Sequence, residues 1–241
     1  MTTIMCIPCP PFGTEYWTAV CNRLEDKKKP TKIVNPLSTA SGLAEATQIM
    51  EDELSSSDED IVILTHGATL NLALALSAHP KVKGIVLSNG SVSKQSILAR
   101  LGSIIPSSVL KAALHPRIST KLFSSSLGMR RWVVNPYVMN HDMVVRVCNE
   151  FINDSKYRSN CLNWVGMNGL PLKPAADDSK PCLSIWGTHD IFHPLSERQA
   201  IDGLFTDHTA VDVPGGRYLH GLERPWETAD HILEWCSKKS L

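Results

Sequence analysis

Apolar residues along the first third of the chain follow two alternating rhythms: short runs rich in branched aliphatics, and longer stretches in which apolar positions return every three or four residues. The short runs, 3–8, 32–34, 61–65 and 84–88, have the length and composition of strands. The longer ones, 15–25, 41–54 and 68–78, have the period of helices, the last stopped by Pro80. The same order returns near the C-terminus, with strands expected over 182–186 and 209–213 and helices over 195–204 and 226–238. Strands that alternate with helices pair in parallel, because each crossover helix returns the chain to the same end of the sheet, and such a sheet is covered on both faces. The two groups of strands are therefore expected to share one sheet of about six strands.

The middle of the chain, 91–174, breaks this rhythm. Helical periodicity there is interrupted by Gly, Pro and Ser and no stretch has strand character, the pattern expected of a helical cap inserted between 1–90 and 175–241. Charge changes as well: Lys94, Arg100, Arg130, Arg131, Arg146 and Lys173 belong to a basic excess over Asp142, Glu150 and Asp154. The whole chain balances 24 basic against 24 acidic residues, so no nucleic-acid partner is expected and the sheet domain carries the compensating negative charge. A basic cap is either a solvated helical surface or a lid that attracts an anionic or carrier-bound small molecule.

Composition narrows the class without naming a function. With 241 residues, 43% hydrophobic and 20% charged, the chain can bury a sizeable core, and wholesale disorder and coiled coil are excluded. The N-terminus lacks a basic leader, and no apolar run approaches the roughly 20 residues of a membrane helix, so a cytoplasmic protein with no membrane partner is expected. Seven scattered cysteines, an odd number, argue for a reduced compartment rather than a disulfide framework. Cys6 and Cys9 form a CxxC pair, but prolines follow it and a strand precedes it, a poor setting for redox or metal chemistry. His189, Asp190 and His193 are compact in sequence yet fall on a turn, without the helical i, i+4 geometry of zinc ligands. Neither a metal nor a cofactor is expected.

Four segments carry a resemblance. IVILTHGATLNLALALSAHPKVKGIVLSNG, 61–90, resembles the central strand, nucleophile turn, following helix and next strand of the α/β-hydrolase superfamily. CLSIWGTHDIFHPLSE, 182–197, is similar to the strand and loop that carry the acid, PGGRYLHGLERP, 214–225, to the histidine loop, and IPCPPFGTEYWTAV, 7–20, to the oxyanion loop and first helix. The resemblance spans essentially the whole chain and implies an α/β-hydrolase fold: a mostly parallel sheet flanked by helices, with an inserted helical cap.

The resemblance also locates the catalytic positions, and the residues standing there are unusual. The superfamily needs G-x-S-x-G, where a strained strand-to-helix bend lifts the serine oxygen to the top of the sheet; here the sequence is Thr65-His66-Gly67-Ala68-Thr69. Gly67, at the nucleophile position, cannot form an acyl enzyme. Tyr218 stands where the catalytic histidine is expected, with His220 two residues further on, while Asp190 matches the acid. Ala68 can supply one oxyanion N–H. The donor expected from the first loop falls on Pro11, which has none, leaving Phe12 or Gly13.

Ordinary ester hydrolysis is therefore not expected. The expectation is a small molecule held between core and cap, with Gly67, Ala68, His66, Phe12 and Gly13 lining it. Asp190, His220 and Tyr218 then serve non-covalent acid–base chemistry of a lyase, cyclase, isomerase or atypical hydrolase. The alternative is a catalytically inactive binding, receptor or accessory protein on the same fold.

Overall fold

Alternate residues of the central strands are apolar toward opposite sides, and this period of two builds two cores. The structure, a computed structural model, describes residues 2–8, 12–90, 130, 133, 154–156, 159–160, 179–193 and 195–241. Strands β1 (Thr2–Cys6), β2 (Thr31–Ile33), β3 (Asp60–His66), β4 (Val82–Ser88), β5 (Cys182–Gly187) and β6 (His208–Val213) form one sheet in the order β2-β1-β3-β4-β5-β6. Every neighbouring pair is parallel. The two strand groups join where Ile85 of β4 lies opposite Cys182 of β5.

Ile4, Cys6, Val62, Leu64 and Val86 face one side, where they meet Trp17, Val20 and Leu24 of helix α1 (Glu15–Asp26) and Ile232 and Trp235 of the C-terminal helix, Pro225–Lys238. Met5, Ile7, Ile61, Ile63, Ile85 and Leu87 face the other. There they pack against Met50 and Leu54 of α2 (Leu43–Ser56), Leu70 and Leu74 of α3 (Leu70–Leu76) and Ile201 of α4 (Leu195–Asp202). Each such side chain removed from water contributes about 1.5–3 kcal/mol.

The chain leaves β1 toward β2 and returns to β3 on the other side, so β1 and β3 flank a topological switch point, with α1 and α2 on opposite faces. In parallel sheets the connections diverge there, at the carboxyl ends of the strands, and leave a crevice. Those ends carry Cys6, His66, Ser88, Gly187 and Val213.

Element boundaries differ from the sequence expectation at three informative places. β3 runs through His66, and the helix expected from 68 begins at Leu70, because Gly67–Thr69 form a separate 3-10 turn. A four-residue helix, α5 (His220–Glu223), was not foreseen; it precedes the C-terminal helix, α6, and turns His220 inward. The Cys6 thiol lies 3.5 Å from that of Cys21 on α1, both buried and free, while Cys9 lies outside the described residues. The cap expected over 91–174 lies outside them too, apart from a few isolated positions. No described helix is long and apolar enough to cross a membrane.

Candidate functional site

The bend after β3 is made by a residue without a side chain. Gly67 has φ 59°, in the left-handed region, which costs an L-residue about 1–2 kcal/mol and glycine almost nothing. Its N–H donates to the Asn89 carbonyl at 2.6 Å, tying the bend to the end of β4. On either side, the Thr69 hydroxyl donates to the His66 carbonyl at 2.9 Å, and the Thr65 hydroxyl is buried with no hydrogen-bond partner among the described residues. Ala68, buried, is the second residue of the turn, where the first backbone N–H groups have no partner within the helix.

Of the first-loop residues, Phe12 is buried with its ring 6.4 Å from that of Tyr16, and the Gly13 carbonyl accepts from the Tyr16 N–H at 3.3 Å. Pro11 lies outside the described residues.

A column of rings stands beside the bend. His66 stacks on Tyr16 with centroids 4.4 Å apart, Tyr218 lies 4.5 Å from His66, and His193 stacks on Tyr218 at 5.1 Å. The structure thus brings Tyr218, from the loop after β6, against His66 at the end of β3. His220 lies on the far side of a hydroxyl. Ser88 Oγ is 2.9 Å from His66 Nδ1 and 2.8 Å from His220 Nε2, and His220 Nδ1 is 3.1 Å from Thr228 Oγ1. Both ring nitrogens of His220 are therefore engaged, and neither by Asp190.

Burial sets the protonation of these imidazoles. The pKa of His220, fully enclosed, is pushed down to about 3 by loss of hydration, helped by His231. Burial also holds His66 well below the ordinary histidine value, with His220 and His193 adding to the effect. Both rings are neutral near pH 7. A general base works best with a pKa near the operating pH, and His220 stands far from that condition.

Asp190 serves the loop after β5. Its Oδ1 accepts the N–H groups of Phe192 at 2.8 Å and His193 at 3.2 Å. Its Oδ2 is 3.3 Å from His193 Nδ1, an ion-pair distance, yet the two atoms are not aligned and neither makes a hydrogen bond. The geometry is decisive over the distance here, because hydrogen bonds weaken steeply off-line. Asp190 is thus brought to His193 rather than to His220. His193 Nε2 and His66 Nε2 are both buried without a hydrogen-bond partner among the described residues. Among the described residues no group of three His, Cys, Asp or Glu side chains stands together as a metal site.

Sequence reasoning passed over the residues that hold this arrangement. Asn89 is one, with φ 32°: its amide donates to the Arg217 and Tyr218 carbonyls at 3.1 and 3.3 Å, and its Oδ1 accepts the Gly187 N–H at 3.0 Å. A single side chain therefore joins the acid strand to the histidine loop, while its backbone holds Gly67. The Asn-Gly pair ending β4 signals a turn, but not these partners. Ser88 and Thr228 carried no signal at all, since isolated hydroxyls at strand and helix ends are commonplace.

No family model and no curated protein matches the chain. Solved structures do. A membrane phospholipase A described as a bacterial virulence factor superposes with a TM-score of 0.76 at 14% identity, covering 99% of this chain and 79% of its own. A thermophilic esterase from Thermogutta terrifontis gives 0.70 at 16% identity, covering 99% and 90%. The epoxide hydrolase of Bacillus megaterium gives 0.70 at 13%, covering 98% and 94%. The chain has the α/β-hydrolase fold: a six-stranded parallel sheet flanked by helices, shared with these neighbours. At these identities the likeness is one of fold.

Proposed function

We propose that this α/β-hydrolase-fold protein binds a small molecule at the carboxyl ends of its strands and does so without a covalent intermediate. The observation that carries the reading is Gly67: the bend that lifts a nucleophile in this fold lifts a bare backbone here. His220 supports it, because a buried imidazole with both nitrogens taken and a pKa of about 3 is not a triad base at neutral pH. The neighbours named above are hydrolases by their titles; this chain keeps their scaffold while its triad is dismantled. A binding, receptor or accessory role follows.

One observation favours a second reading, non-covalent acid–base chemistry. Asp190 approaches His193 on a loop that also stacks against Tyr218, and His193 Nε2 is left without a partner. In that reading the proton-handling group is His193, with Asp190 holding its backbone N–H and Tyr218 donating a hydrogen bond.

A thermal-shift screen with anionic and neutral metabolites tests the binding reading. A ligand at about 100 times its Kd adds roughly 2.7 kcal/mol of stability, and conversion of that ligand on standing selects the second reading. A screen with no stabilising compound overturns both.

A further inference from the structure

The buried hydrogen bonds behind the bend form a chain with a direction, and the direction decides what His66 presents to a ligand. His66, Ser88, His220 and Thr228 are all fully buried. Ser88 has one hydroxyl proton and two imidazole partners, His66 Nδ1 at 2.9 Å and His220 Nε2 at 2.8 Å. Thr228 has one partner, His220 Nδ1 at 3.1 Å, and makes no other side-chain hydrogen bond among the described residues. Burial keeps both imidazoles neutral, and a neutral imidazole donates through one nitrogen and accepts through the other.

Three proton arrangements then satisfy all three contacts. One, with both imidazoles donating to Ser88 and Thr228 donating to His220 Nδ1, strands the Ser88 proton and leaves His66 Nε2 a bare acceptor; the other two run through Ser88 in opposite directions. In the first of these, Ser88 donates to His220 Nε2, so His220 Nδ1–H donates to Thr228 and His66 Nδ1–H donates to Ser88. The Thr228 hydroxyl proton is then stranded in the core, and His66 Nε2 is a bare acceptor without a partner. In the second, Thr228 donates to His220 Nδ1, His220 Nε2–H donates to Ser88, and Ser88 donates to His66 Nδ1. Every hydroxyl proton is now used, and the single unmet group is the N–H on His66 Nε2. Buried polar groups are costly to leave unpaired, so one stranded group is favoured over two.

We propose that Thr228, acting through His220 and Ser88, holds His66 in its Nε2–H tautomer, and that this N–H is a hydrogen-bond donor for an acyl oxygen, carbonyl or carboxylate, of the bound molecule. The three are positioning residues. The unpartnered Nε2, on a ring clasped between Tyr16 and Tyr218, is the second observation that points to a ligand. The ligand half of the inference rests on the binding reading above; the tautomer half does not.

Nitrogen-15 spectra of the full chain labelled at histidine test it, with His66→Gln and His220→Gln serving for assignment. Both rings are expected to show pyrrole-type Nε2 and pyridine-type Nδ1. A pyrrole-type Nδ1 on either ring overturns the relay. Thr228→Val removes the terminal donor, and the two His66 nitrogen shifts should move toward each other as the tautomers mix; Thr228→Ser should restore them. Unchanged His66 shifts in Thr228→Val also overturn the relay, and if that variant does not fold the wild-type spectrum decides alone.

For the ligand class, butyramide, butyrate and butylammonium are titrated in turn. The His66 Nε2–H resonance should move with an acyl probe and stay fixed with butylammonium, the stronger acyl probe telling carbonyl from carboxylate. No movement with either acyl probe overturns the ligand assignment. A failed thermal-shift screen beside the expected tautomer removes the binding reading and leaves the relay standing.

Discussion

Gly67 and His220 are the two residues whose chemistry the functional reading leans on, and each yields a prediction. Gly67→Ser restores an oxygen at the bend but places a β-carbon at φ 59°, so the variant should lose about 1–2 kcal/mol in denaturant titration. It should also show no hydrolysis of a nitrophenyl ester, because His220, with a pKa of about 3, is too weak a base at neutral pH and is already engaged on both nitrogens by Ser88 and Thr228. Rapid turnover by this single variant would show that a competent base faces the bend.

The low pKa of His220 makes stability pH-dependent. Its folded value, about 3, lies below the ordinary 6.5, so the unfolded chain binds the proton more readily and stability falls as pH drops below 6.5. From pH 7 to pH 5 this group alone removes about 2 kcal/mol, and His66, shifted in the same direction, adds to the loss. Urea midpoints at the two pH values check the sign, and a flat profile contradicts it.

At this scale the sequence was partly legible. The absence of a nucleophile at position 67 could be seen, since it needs only alignment of the bend. The distance between Asp190 and His220 could not, because α5 turns His220 into the core by local helix formation that four residues of sequence do not announce.

Elements hold the site together through their ends. Gly187 closes β5 against the histidine loop so tightly that an added β-carbon would lie 2.5 Å from the Gly216 carbonyl oxygen and 2.6 Å from that of Arg217. Backbone at that distance cannot yield as a flexible side chain does. Gly187→Ala should therefore cost about 1–3 kcal/mol, whereas Gly203→Ala, whose new methyl meets only the Ala200 carbonyl oxygen at 3.9 Å, should be neutral within a few tenths or slightly stabilising. Asn89→Ala removes three side-chain hydrogen bonds and strands the Gly187 N–H, a loss of about 3 kcal/mol in the same titration.

Strands and helices were the most legible features, because apolar periods of two and of three to four are properties of contiguous sequence. β1, β3 and β4 fell within two residues of expectation at each end, and the join of β4 to β5 followed from one repeated grammar. The hydrogen bonds that Asn89 makes 98 and more residues away were not legible; contacts of that range leave no local period to find.

Across the whole molecule, the parallel sheet sets the carboxyl ends of β1, β3, β4, β5 and β6 side by side, so residues scattered from His66 to Thr228 converge at one edge. The fold accounts for the place of the proposed site; the residues there account for the function proposed for it. A column of stacked rings, three buried imidazole nitrogens on it without hydrogen-bond partners among the described residues and a glycine at the bend suit recognition of a small molecule better than attack on it. The central claim is that nothing becomes bonded to the chain there. Intact-protein mass measured after incubation with a fluorophosphonate and with a nitrophenyl ester tests this most directly. An unchanged mass in both is the predicted result, and an adduct that peptide mapping places on Thr65, Thr69 or any other residue of the bend would contradict it.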